Sequence, residues 1–116
     1  MRAIQLAKGA LRSGIQVLLN ARGRSSGEIK KVIIAGAFGS YIDVSSAMTI
    51  GMLPSLPLNC FEQVGNAAGM GAKLALISRN KRMEAQDIAS KVHYIELAAA
   101  PDYVKILVEA TAVDEY

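Results

Sequence analysis

The sequence predicts an α/β fold in which a small central sheet is flanked by helices, and three observations carry that prediction. A long helical pattern leads into Val32-Ile33-Ile34, a consecutive β-branched run of the kind found in strands covered on both faces. A second short run, Phe61 to Val64, passes through Gly65-Asn66 directly into a helix rich in small residues. The composition, 52% hydrophobic with 20% charged residues of both signs, is globular rather than disordered, and 116 residues suit one domain with one core.

From Ala3 to about Arg22, Ile4, Ala7, Leu11, Ile15 and Leu18 recur at three- and four-residue steps and form one apolar stripe. Gln5, Lys8, Arg12 and Gln16 line up on another side, which is expected to stay free. Gly23 serves as the C-cap, and Arg24 to Gly27 is a polar connection to the strand Lys31 to Ala35. After the N-cap Asp43, Val44 to Ile50 makes a short helix that stops before Pro54 and Pro57. Asn66 is the N-cap of a helix from Ala67 to Ser78 that is apolar almost all round and therefore expected to be buried. A helix from about Lys81 to Ser90, a strand from Val92 to Leu97 and a last helix beginning at Pro101 and running to about Ala110 complete the chain.

Several functional classes are disfavoured at this level. A net charge of +3 is a weak field, Arg79, Lys81 and Arg82 are the nearest approach to a basic cluster, and no tryptophan is present to stack on a base, so no nucleic-acid partner is expected. Cys60 is the only cysteine, which excludes an intrachain disulfide and a cysteine-ligated cluster or structural zinc. No signal pattern and no run of about 18 apolar residues is found, so a soluble, cytoplasmic protein without a membrane partner is expected.

The chemistry-bearing signals are two glycine junctions. Gly36-Ala37-Phe38-Gly39 follows a buried strand, where glycines permit positive φ and leave backbone amides open to a phosphate or ribose. Gly65-Asn66-Ala67-Ala68-Gly69-Met70-Gly71-Ala72 lies between a strand and a helix, whose N-terminus offers amides and partial positive charge. Each also has a purely geometric reading, a tight turn for the first and close helix packing for the second. Neither fits a Walker A loop or the dinucleotide fingerprint.

Three blocks, Gln5-Leu6-Ala7-Lys8-Gly9-Ala10, Ala35 through Asp43 (AGAFGSYID) and Val64 through Ala72 (VGNAAGMGA), resemble in order the reductive activators of corrinoid proteins. The Ile50 to Pro54 segment and Pro101-Asp102-Tyr103 resemble that family too, so the likeness covers most of the chain. The resemblance implies a ribonuclease-H-like, actin-like ATPase lobe, the C-terminal part of a larger ATPase that binds ATP with magnesium between two lobes. It further implies that hydrolysis drives uphill reduction of a cobalt(II) corrinoid to cobalt(I), the form needed for methyl transfer. By motif, Gly36, Ala37, Phe38 and Gly39 would form the turn against ribose and phosphates, and Gly65, Asn66 and Gly69 would approach the nucleotide at the start of the following helix. Gln5 and Lys8 would reach the adenosine side, unless theirs is simply a solvated helix face.

The chain departs from the full family pattern: it contains neither the phosphate-binding lobe with its magnesium carboxylates nor the cysteines of an iron–sulfur cluster, which the resemblance places in an N-terminal region. It is therefore expected to be an excised domain without catalytic or metal-ligating residues of its own, inactive in isolation, with a corrinoid protein and the remaining lobes of the same polypeptide as partners. Apolar surface left by those lobes would favour a weak homodimer. A rival reading makes the lobe an interaction module that docks a corrinoid protein without binding nucleotide, and a generic sugar or acetate kinase lobe is a third. His93 and Cys60 are expected to be structural, and Met48, Met52, Met70 and Met83 to fill gaps.

Overall fold

The computed structural model describes residues 2–111, with the side chains of Arg2 and Phe38 outside the description. Seven regular elements follow in order: α1 (Arg2–Arg22), β1 (Val32–Ala35), α2 (Val44–Thr49), β2 (Phe61–Gly65), α3 (Ala67–Ile77), α4 (Arg79–Lys91) and α5 (Tyr103–Ala110). They fall into two units, one of Met1–Val32, Ile42–Phe61 and Ile95–Tyr116, the other of Ile33–Tyr41 and Glu62–Tyr94.

In the first unit α1 packs on α5, and the face it uses is not the apolar stripe. Lys8 and Ser13 are fully buried and Val17 nearly so, whereas Ile4, Leu11 and Leu18 are about half exposed, at 52%, 44% and 52%. The expectation that the polar side stays free is thereby corrected. The physical reason is side-chain size. A Cβ added to Gly9 would stand 2.9 Å from Thr111 Cγ2, so the face carrying Gly9 and Ser13 admits the end of α5 closely, which bulky residues on the other face would prevent. The buried core of this unit is completed by Ala47, Met52, Leu53, Pro54 and Ala110. At the C-terminus of α1 the Arg24 amide donates to the Leu19 carbonyl at 2.9 Å and the Gly23 amide to Asn20 at 3.1 Å, a Schellman-type closure. Asp43 caps α2 as its sequence position implies, accepting from the Ser46 amide at 3.3 Å.

In the second unit β1 and β2 form a parallel two-stranded sheet, and α3 runs through Ser78 directly into α4, with contacts between the two helices. Ser78 caps α4 by accepting from the Lys81 amide at 3.2 Å, and Arg82 donates back to the Ala75 carbonyl at 3.2 Å near the end of α3, drawing one member of the basic cluster into helix termination. Two expectations fail here. No residue of α3 is buried: Met70, Leu76 and Ile77 are 58%, 80% and 70% exposed, because an all-round apolar helix needs cover on several sides and the described residues supply little of it. Nor does Val92 to Leu97 form a strand; residues 92–96 have no regular structure and Leu97–Ala99 make a 3-10 turn. The run is apolar enough for a strand, but a strand requires a hydrogen-bonding neighbour, and β1 and β2 pair only with each other among the described residues. Of the four methionines expected to fill gaps, Met52 is buried, while Met70 and Met83 are exposed and fill none.

Candidate functional site: two glycine junctions at one end of a parallel sheet

The second unit brings the two glycine junctions together. β1 and β2 run parallel, so their C-terminal ends lie at the same edge, and the Gly36 amide donates to the Gly65 carbonyl at 2.6 Å. This bond closes the last rung of the ladder with one glycine from each junction. Both leave the strand with positive φ, +95° at Gly36 and +65° at Gly65, a conformation that a side chain would strain by about 1–2 kcal/mol. A Cβ at Gly36 would meet nothing within 4 Å, so open space adjoins the backbone there.

Beyond Gly36, residues Phe38–Ser40 wind into a 3-10 turn, with the Ser40 amide donating to the Ala37 carbonyl at 3.2 Å. Gly39 is buried against β1, where a Cβ would stand 2.5 Å from Ile34 Cγ2. The turn is thus folded back onto its own strand, and Ala37 is exposed at its outer side. The Phe38 side chain, a candidate contact, lies outside the described residues. A Cβ at Gly65 would lie 3.7 Å from Ser40 Oγ, so the second junction abuts the first.

Asn66 and Gly69 form a cap rather than two independent contacts. The Asn66 side-chain oxygen accepts from the Gly69 amide at 3.0 Å, and a Cβ at Gly69 would overlap the Asn66 amide group. Gly69 therefore contributes the space for its cap, while its N–H is already engaged. Replacing Asn66 by Ala is expected to cost about 1 kcal/mol and to fray the first turn of α3, read as faster amide exchange at residues 67–70.

Gln5 and Lys8 belong to the first unit and the junctions to the second. Gln5 is partly buried and Lys8 has no exposed surface, so Lys8 is a packing residue of α1 and not a free cation. The same unit holds a cavity of about 730 Å³ at α1 and α5, with Gln16, Asn20, Lys105 and Glu109 around Val17 and Ala110. Neither Gln5 nor Lys8 lines it. Among the described residues no group of three or more His, Cys, Asp or Glu stands close enough to hold a metal ion. No helix among them is long and apolar enough to cross a membrane.

Sequence reasoning missed Gln63 and Ile34 as supports of the junctions. Gln63 Nε2 donates to the Gly39 carbonyl, and Ile34 is the residue against which Gly39 packs. The signal available for Gln63 was a polar residue two positions before Gly65, within a strand leading straight into the junction.

With this geometry in view, comparison with known proteins is decisive. A family model described as the C-terminal domain of RACo, the ASKHA domain, matches residues 1–116. The chain belongs to that family. The RACo C-terminal likeness extends to a corrinoid activation enzyme, RamQ, of Eubacterium limosum, 39% identical over 105 residues and covering 90% of this chain. A solved structure titled reductive activator for corrinoid, iron-sulfur protein superposes with a TM-score of 0.88 at 36% identity over 97% of this chain. The chain spans 18% of the length of each of these relatives. The α/β, ASKHA-type fold follows from these matches.

Proposed function

We propose that this RACo-type C-terminal domain supplies the adenosine-side half of an ATP site in a reductive activator that returns a cobalt(II) corrinoid to cobalt(I) for methyl transfer. The observation that carries the reading is the Gly36–Gly65 hydrogen bond, which sets two Cβ-free junctions side by side at the C-terminal edge of a parallel sheet. Ligands of open α/β sheets bind at that edge, where backbone can approach a phosphate or ribose closely. Gly36, Ala37, Gly39 and Gly65 suit such a ligand because they offer backbone and little side chain. Bound ATP would supply the hydrolytic free energy of the activator. Its magnesium would take carboxylates from the rest of the polypeptide, and any iron–sulfur cluster would need cysteines this chain does not have. In this reading the domain works in the cytoplasm, with the remaining lobes and a corrinoid protein as partners, and has no ATPase activity alone.

An amide-resolved NMR titration with ATP and magnesium tests this. Binding at about millimolar affinity, with shifts centred on residues 36–39 and 65–69, is expected; saturating ATP without shifts there sinks the reading. A second reading, a docking module for a corrinoid protein, is favoured by the exposed apolar face of α3 with Met70, Leu76 and Ile77. It requires shifts at those residues on adding a corrinoid protein and none with nucleotide. The same surface would also support a weak homodimer, measurable by sedimentation.

A further inference from the structure

Gln63 stands two residues before Gly65 on β2, and its side-chain amide donates across 24 residues of sequence to the Gly39 carbonyl. That bond ties the 3-10 turn of the first junction to the strand that feeds the second. The other contacts described for the turn are the Ser40 amide on Ala37, Ile34 packed beneath Gly39, and the Ser40 hydroxyl beside Gly65. The Ser40 amide belongs to the Gly39–Ser40 peptide, so its bond to Ala37 orients that peptide within the turn, and the Gln63 bond holds the same peptide to β2. A trans peptide group carries its C=O and N–H on opposite sides, so the turn holds one side of this peptide and β2 holds the other.

We propose that Gln63 is a positioning residue of the nucleotide half-site, anchoring the Gly39–Ser40 peptide to β2 so that the Gly36–Gly39 turn is held beside the second junction for the ligand. This rests on the nucleotide reading above. Gln63 is exposed and contributes little packing, so its amide affects the orientation of the turn more than the stability of the fold.

The test uses Gln63→Met, which keeps length and removes the donor, and Gln63→Glu, which sets a carboxylate against the Gly39 carbonyl. ATP with magnesium is titrated into each chain, and adenosine serves as an uncharged probe that a new carboxylate does not repel. Expected is a loss of affinity of about tenfold for Met and more for Glu, in the same order with adenosine. The Gly39 carbonyl carbon resonance should move in both variants while the thermal midpoint stays within about 2 °C. Unchanged affinity in both variants overturns the positioning role and leaves the nucleotide reading standing. Affinity lost together with a collapse of the amide spectrum makes Gln63 a folding residue and also overturns it. If the unsubstituted chain binds neither probe, the nucleotide reading falls and the role of Gln63 falls with it.

Discussion

Replacing Gly39 by valine should abolish nucleotide binding and lower stability by about 2–3 kcal/mol, the upper part of the range for overpacking a well-filled site. The new Cβ would stand 2.5 Å from Ile34 Cγ2, and the Ile34 carbonyl carbon and oxygen follow at 3.4 and 3.5 Å. Turning the isoleucine side chain away therefore relieves only part of the overlap, since the strand backbone stands directly behind it. Ile34 is β-branched and stiff at χ1, which makes the escape costly. The turn has to lift from β1, taking the Gly39 carbonyl away from Gln63. Thermal unfolding and the ATP titration measured on the same sample check both halves. Retention of binding within a factor of about three would show that the turn does not touch the ligand. Gly36→Val provides a contrast, because open space beside Gly36 leaves backbone strain as its only cost.

Gly9→Leu is expected to separate α1 from α5 and destabilise the first unit by about 2 kcal/mol. Overpacking costs roughly 1–3 kcal/mol and is offset by nearly 1 kcal/mol of helix propensity gained when glycine leaves a helix interior. A single Cβ would already lie 2.9 Å from Thr111 Cγ2, with the Thr111 backbone at 3.6 and 3.7 Å. Gly9→Ala should be near neutral, because the propensity gain offsets the few tenths of an ångström that Thr111 must give. A fall of about 8–15 °C in the midpoint for leucine and less than about 3 °C for alanine is the expected result. Equal effects of the two would mean that the helices are not in close contact at this position.

Local features were legible in the sequence where one residue type has one local use. Asp43 and Asn66 cap α2 and α3 through bonds to the third residue on, because short acceptor side chains at those positions satisfy amides that the helix leaves unpaired. The strands at 32–35 and 61–65 and the helices that follow their junctions stand within a residue or two of their expected limits. The segment Val92 to Leu97 was not legible. Its apolar pattern fits a strand, but strand formation depends on a partner elsewhere in space, and no pattern within six residues reports whether one exists.

The faces of the helices were equally beyond local reading. Periodicity separates the Ile4, Leu11, Leu18 side of α1 from the Gln5, Lys8 side, but it assumes that the apolar side is the one that packs. Here Gly9 and Ser13 permit the closest approach, so the side with the smallest residues meets α5 and carries Lys8 into the interior. In the same way α3 announces that it must be covered without saying by what, and among the described residues nothing buries any part of it.

By itself the sequence determined the α/β class, the family blocks and the two glycine junctions, since these depend on backbone freedom, capping and local period. Only the tertiary structure decided that the junctions meet through Gly36 and Gly65, that Gln63 holds Gly39, and that Lys8 is a core residue. Each of those depends on which distant segments share a strand edge or a helix face, and contacts across 24 or 102 residues leave no periodic trace in the chain.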